Sequence, residues 1–203
     1  MNFIGEYQID KKVCSDLLEY YHSLDQSFKM PAMIYLKDEK SDRYICKENL
    51  KIKKATQVSI NVSGIEGLPK SLLLTESTFT YLKHLQLCLE KYIKKYKYSN
   101  GGSPFTIIEP MNIQHYKPGE GYYQWHTERS GSNFPQAARH LVFMTYLNTV
   151  TDKGGTEFYH QKVTTKAVAG KTLIWPADWT HTHRGRVCYT EKTIITGWID
   201  LCY

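Results

Sequence analysis

Apolar positions recur at helical spacing in two stretches of the chain. Val13, Leu17, Tyr21 and Leu24 share a face behind Asp10, a residue suited to capping, so 10–24 is predicted as an amphipathic helix. Leu82, Leu85, Leu89, Tyr92, Ile93 and Tyr96 define a second helix over about 75–97. Lys94, Lys95 and Lys97 suit the negative end of its dipole, and Asn100-Gly101-Gly102 stops it. Between the helices, residues 30–70 mix charge with Pro31 and Pro69, and 57–62 alternates like a half-buried strand. After Gly102 the pattern shortens. Runs of β type follow at 105–116, 122–127, 141–147, 156–159, 172–175 and 193–199. Pro118-Gly119, Gly131, Asp152-Lys153-Gly154-Gly155, Gly170 and Pro176 separate them. Helices followed by many short strands predict an α+β chain, a β barrel or sandwich with helices packed outside. With no internal repeat and no linker, 1–203 is expected to be one domain. Residues 1–103 are its mainly helical support and irregular region, and 104–203 its β-core.

Composition removes several function classes. At 203 residues, 41% hydrophobic and 23% charged, the chain is neither disordered nor of low complexity. No apolar run approaches the roughly 18 residues of a membrane span, and Glu6 stands where a leader would be basic and then apolar. A cytoplasmic location without membrane attachment is therefore expected. The net charge of +6 is spread smoothly and no basic patch is interleaved with aromatics, so no nucleic-acid partner is expected. Five cysteines, widely spaced and without C-x-x-C, read as reduced, buried thiols rather than a disulfide framework or zinc site.

His126-Thr127-Glu128 places an imidazole and a carboxylate two residues apart in a segment predicted to be extended. Period two sends both to one face, where they can converge on an ion. His181 or His183, in Trp179-Thr180-His181-Thr182-His183, would complete two histidines and one carboxylate. That set leaves metal positions open and is the pattern of non-haem Fe(II) sites that activate oxygen. Lys192, nine residues past His183, offers the fixed cation that a dicarboxylate cosubstrate needs at its far end. Tyr116, ten residues before His126, offers a hydroxyl to the same carboxylate, and Trp198 shares the face of Lys192.

In this order and spacing the landmarks resemble the Fe(II)- and 2-oxoglutarate-dependent dioxygenases, in their prolyl 4-hydroxylase-like branch. They are Tyr116-Lys117-Pro118-Gly119, His126-Thr127-Glu128, Tyr146-Leu147-Asn148, Gly154-Gly155-Thr156-Glu157-Phe158, Gly170-Lys171, Trp175-Pro176-Ala177-Asp178, His183, Lys192 and Trp198. They span about 104–203, half the chain. The resemblance implies a double-stranded β-helix, a distorted jelly roll with iron in its mouth. It implies His126, Glu128 and His183 as iron ligands, since the intervals from Asp178 and back from Lys192 both reach His183. His181 is then a candidate neighbour of the ligands. Lys192, Tyr116, Tyr146 and Thr196 become the 2-oxoglutarate contacts, and Arg139 and Trp198 substrate contacts. The usual carboxylate of the family is Asp, so Glu128 predicts an altered ligand geometry rather than lost binding.

The implied reaction uses Fe(II), 2-oxoglutarate and O2, with ascorbate as a reductant, and hydroxylates a C–H bond with release of succinate and CO2. A prolyl residue in a peptide or protein is the implied substrate, bound across the mouth by 129–138 and the irregular 30–70 region. Tyr122, Tyr123, Trp125 and Trp179 would supply an aromatic rim. A free amino acid or other small molecule, and a non-catalytic metal- and 2-oxoglutarate-binding module, are the alternative readings.

Overall fold

A computed structural model describes residues 1–37, 44–63, 71–100, 102–129 and 134–202. Residues 38–43 and 64–70 of the 30–70 region, Gly101, and residues 130–133 of the 129–138 segment lie outside the described residues, and with them Gly131 and Pro69.

The first helix, α1, runs Lys11–Ser23, with the Asp10 carboxylate accepting from the Lys12 amide. It buries Val13, Cys14, Leu17 and Tyr21, while Leu24, the last residue of the predicted stripe, is the C-cap and only half-buried. The second, α2, runs Glu76–Lys95 behind a capping box made by Thr75 and Thr78. It buries Tyr81, Leu85, Cys88, Leu89 and Tyr92. Among the described residues no helix is long and apolar enough to cross a membrane.

Both helices pack on one face of a nine-stranded sheet. Its order is Gly5–Gln8, Lys171–Pro176, Arg139–Tyr146, Lys192–Leu201, Met111–Tyr116, Thr56–Ile60 and Met30–Pro31, with neighbours antiparallel; Ser71–Leu72 and Phe105–Thr106 pair at its margins. A smaller sheet, Val163–Thr164, Thr156–Phe158 and His183–Gly185, covers the other face. Two antiparallel sheets facing each other are the jelly roll expected of the β-core, and the helices make the chain α+β. The first half contributes more than helices, because Gly5–Gln8 and Thr56–Ile60 are strands of the large sheet.

Period-two alternation divides the central strands between two environments. Phe143, Ile195, Ile113 and Ile174 join the core under the helices. Val142, Met144, Tyr146 and Trp175 join the core between the sheets. Both faces are covered, so the strand sequences read as almost continuously apolar. Where polar residues interrupt the inner face, at Asn112, Gln114, Lys192 and Thr196, they line a cavity.

Two predicted strands are shorter than expected. The 105–116 run breaks around Pro110 into Phe105–Thr106 and Met111–Tyr116, since proline has no amide to give the ladder. The 122–127 run keeps only Gly121–Tyr122 and one bridge, in which His126 and His183 exchange backbone hydrogen bonds of 3.0 and 2.9 Å. The chain then swings onto the Ala177 carbonyl, which accepts from the Thr127 hydroxyl and the Arg129 amide.

Gly155 in the Gly154-Gly155 turn has a steric reason. A Cβ there would lie 1.8 Å from the Thr165 carbonyl oxygen, a backbone atom that cannot turn aside. Gly155→Ala is expected to cost about 3 kcal/mol or more, the upper end of overpacking. Denaturant unfolding of the variant checks this, and a loss below about 1 kcal/mol would show that the turn shifts freely.

Candidate metal centre and cosubstrate cavity

Between the two sheets lies a cavity of about 520 Å³. On its wall His126 Nε2 stands 3.5 Å and His183 Nε2 3.4 Å from Glu128 Oε1. One ligating atom from each of the three residues lies within 4.8 Å of the others. The two histidines are brought together by their backbone bridge, and Glu128 by the turn onto Ala177 rather than by a continuous strand.

The imidazoles are fixed on their far sides. His126 Nδ1 donates to the Gln124 carbonyl at 3.0 Å and His183 Nδ1 to the His181 carbonyl at 2.9 Å. Carbonyls only accept, so each Nδ1 carries a proton and each Nε2 is the ring nitrogen turned to Glu128. Tyr122 stacks on His126 with ring centroids 3.5 Å apart, and Trp175 meets His183 edge-on at 5.0 Å. Burial and the neighbouring His183 lower the His126 pKa, favouring neutral imidazole. Burial alone would raise the Glu128 carboxyl, but the two imidazoles outweigh it and hold it well below the usual range. Neutral imidazoles and an ionised carboxylate are the protonation states a metal requires. A metal that takes the place of the protons between the two Nε2 atoms and Glu128 Oε1 meets two imidazole nitrogens and a carboxylate, so the donor set fits Fe(II).

Glu128 Oε2 is held separately. Trp198 Nε1 donates to it at 2.9 Å, and Arg139 Nη1 lies 3.6 Å away. Arg139 also donates from Nη1 to the Glu128 carbonyl at 2.8 Å, and its guanidinium lies 3.6 Å from the Trp198 ring centroid. Its Nε and Nη2 form a bidentate pair with Glu109 at 2.6 and 2.7 Å. Arg139 and Trp198, expected at the substrate, thus spend their polar groups around Glu128. Glu109, which anchors this group, was not singled out by the sequence, because a lone acid before Pro110 carries no pattern.

This clamp fits the length of a glutamate. Glu128→Asp draws the carboxylate back by one methylene, away from Trp198. It is expected to lower Fe(II) affinity and turnover about 10- to 100-fold, as losing an orienting partner does. Metal titration followed by succinate assay checks this, and an Asp variant as good as wild type would mean the clamp sets nothing.

Lys192 is 3% exposed and reaches the cavity from the large sheet. Its ammonium donates to the Gly154 and Arg186 carbonyls, both at 3.2 Å, and lies 4.7 Å from the Tyr116 ring centroid. Among the described residues no carboxylate pairs with it, and burial lowers its pKa. A buried cation held only by carbonyls fits an incoming carboxylate. The Tyr116 hydroxyl donates to Gln114 at 2.7 Å, and both residues line the cavity. Tyr146 bonds Thr156 and Thr165, and the Thr196 hydroxyl donates to the Phe143 carbonyl, so their hydroxyls already have partners.

His181 sits on a 3-10 turn, Trp179–His181, not on an extended strand. Its ring bonds the Asn2 carbonyl and Thr180, and its backbone carbonyl, not its imidazole, orients His183. Of the expected aromatic rim, Tyr122 and Trp125 line the cavity, whereas Trp179 lines a separate surface groove with Met1 and His181.

Residues 111–200 match the family model described as the 2OG-Fe(II) oxygenase superfamily. Among solved structures, the chain is similar to a Pseudomonas putida prolyl-4-hydroxylase, with 16% identity, TM-score 0.69, and 100% of this chain and 95% of that one covered. The viral collagen prolyl hydroxylase of Paramecium Bursaria Chlorella virus-1 gives 16%, 0.64, 98% and 97%. A Trichoplax adhaerens prolyl hydroxylase in complex with a hypoxia inducible factor peptide fragment gives 15%, 0.70, 98% and 84%. No curated protein sequence matches the chain.

Proposed function

We propose that this chain, whose residues 111–200 match the 2OG-Fe(II) oxygenase model, is a 2-oxoglutarate- and Fe(II)-dependent dioxygenase that hydroxylates a prolyl residue in a peptide or protein. In this reading His126, Glu128 and His183 hold Fe(II), which supplies C–H hydroxylation coupled to conversion of 2-oxoglutarate and O2 into succinate and CO2. Lys192 pairs with the distal carboxylate of 2-oxoglutarate, with Tyr116 and Gln114 beside it. Tyr146 and Thr196 shape that pocket through their contacts with Thr156, Thr165 and Phe143. Arg139 and Trp198 keep Glu128 aimed. The whole chain, 1–203, acts as one unit, because the cavity wall includes Met33, Ile52 and Gln57 from its first half.

The observation that carries the chemistry is the convergence of three ligand atoms beside a buried lysine that, among the described residues, no carboxylate neutralises. The prolyl substrate draws support from the structural neighbours, one of them bound to a peptide. Succinate release by the iron-loaded chain, measured with and without proline-containing peptides, tests it. Peptide-stimulated succinate with a hydroxylated product is expected. Stimulation by a free amino acid or other small molecule alone would replace the substrate and keep the chemistry.

A further inference from the structure

Lys53 is a second buried lysine on the cavity wall, and neither the metal centre nor the 2-oxoglutarate pocket uses it. It lies on the short strand Lys53–Lys54, which pairs with Gly121–Tyr122, in the half of the chain that carries none of the family landmarks. The two lysines of that strand face opposite ways. Lys54 is exposed and meets Glu120 Oε1 at 3.5 Å. Lys53 is 5% exposed and lines the cavity, its ammonium 5.1 Å from the Tyr122 ring, which itself stacks on His126.

Among the described residues the Lys53 ammonium has neither a hydrogen bond nor an ion pair. Among the described residues Glu128 is the one acid whose field reaches it, and that carboxylate is already engaged. Its Oε1 faces the two histidines and its Oε2 takes Trp198 and Arg139. Burial pushes the Lys53 pKa down to about 8, against the partial support of Glu128. An ammonium that lines a binding cavity on a 5%-exposed residue, without an acceptor from the protein, is open to one that a ligand brings. Lys192 already serves the carboxylate that the cosubstrate extends away from the metal, and it enters from the large sheet. Lys53 enters from a different ribbon, beside the metal ligand His126.

We propose that Lys53 binds a carboxylate of the primary substrate, so that the substrate is an anion whose charge lies within a side chain's reach of the oxidised C–H bond. This rests on the prolyl reading only for the identity of the rest of the substrate. A C-terminal prolyl carboxylate, an acidic residue next to the target proline, and the carboxylate of free proline are the sources of this one chemistry.

The test is anaerobic calorimetry on the full chain loaded with Fe(II) and 2-oxoglutarate. The ligands are N-acetyl-L-proline against N-acetyl-L-prolinamide, blocked Pro-Glu against blocked Pro-Gln, free L-proline against L-prolinamide, and N-acetylglycine against N-acetylglycinamide as a proline-free pair. At least one carboxylate is expected to bind about tenfold or more tighter than its amide twin, the worth of a charge-assisted bond. Lys53→Met should shrink that ratio to within about twofold, and Lys53→Arg should retain it. The pair that discriminates names the source. Discrimination by the glycine pair alone keeps the anchor and sinks the prolyl substrate. Equal binding of every pair in the wild type, or an undiminished ratio in Lys53→Met, overturns the proposal. So does loss of 2-oxoglutarate binding in Lys53→Met to the extent seen in Lys192→Met, because Lys53 would then hold the cosubstrate.

Discussion

Replacing His183 by alanine is expected to abolish Fe(II) binding and to lower succinate formation by at least about a hundredfold. Partners that merely orient a metal ligand are worth 10- to 100-fold, so an inner ligand is worth no less. The argument is stronger at His183 than at His126, because His183 is the more enclosed: Phe158, Trp175 and His126 surround its ring at 5.7, 5.0 and 4.3 Å. Removal leaves a hole that those rings do not refill with a donor, and a two-ligand remnant with Glu128 still ionised. Metal content after dialysis, read beside succinate formation at saturating iron, separates lost binding from lost folding. A His183→Ala protein that keeps one iron per chain and its activity would remove His183 from the centre, and the donor set with it.

Lys192→Met is expected to raise the KM and Kd for 2-oxoglutarate on the order of a hundredfold or more. Removing one partner of a buried ion pair costs about 3–5 kcal/mol, and each 1.4 kcal/mol is about a factor of ten in affinity. Methionine keeps the length and apolar body of lysine, so the Gly154 and Arg186 carbonyls lose a donor while the packing against Tyr116 stays. A pH dependence accompanies this. Burial lowers the Lys192 pKa in the free protein, whereas a carboxylate partner favours the charged form, so binding takes up a proton once the pH exceeds that lowered pKa. Affinity for 2-oxoglutarate should therefore fall as the pH rises through it, and the Met variant should lack that limb. Titrating 2-oxoglutarate into the metal-loaded proteins across pH checks both, and an unchanged Kd in the variant would assign the distal carboxylate elsewhere.

The chemistry was more legible in the sequence than the wall opposite it. His126 and Glu128 were legible as a pair two residues apart and Lys192 as a nearby cation, while His183 was chosen over His181 by the family resemblance; the structure brings His126, Glu128 and His183 to one point. The helices were legible through Val13, Leu17 and Tyr21, and through Leu85, Leu89 and Tyr92, which keep a single periodicity over several turns. Lys53 and Glu109 were not legible. Each acts through one long-range neighbour, Tyr122 or Arg139, and a two-residue strand or a residue before proline leaves no period to read. His181 misled for a related reason: its spacing from His183 matters only in extended chain, and the segment turns instead.

The strand Lys192–Leu201 has Lys192, Ile194, Thr196 and Trp198 toward the cavity, and Ile195 and Ile199 toward the helices. A slip by one residue against Arg139–Tyr146 or Met111–Tyr116 would exchange the two sets. The ammonium would then press into the leucines, phenylalanine and tyrosines under the helices, where nothing could solvate it, and Trp198 would lose Glu128. The residues proposed to bind cosubstrate and steady the metal ligand would thus also act as proofreaders of assembly. A chain that folds around the wrong pairing pays for it in unsolvated charge before any substrate arrives.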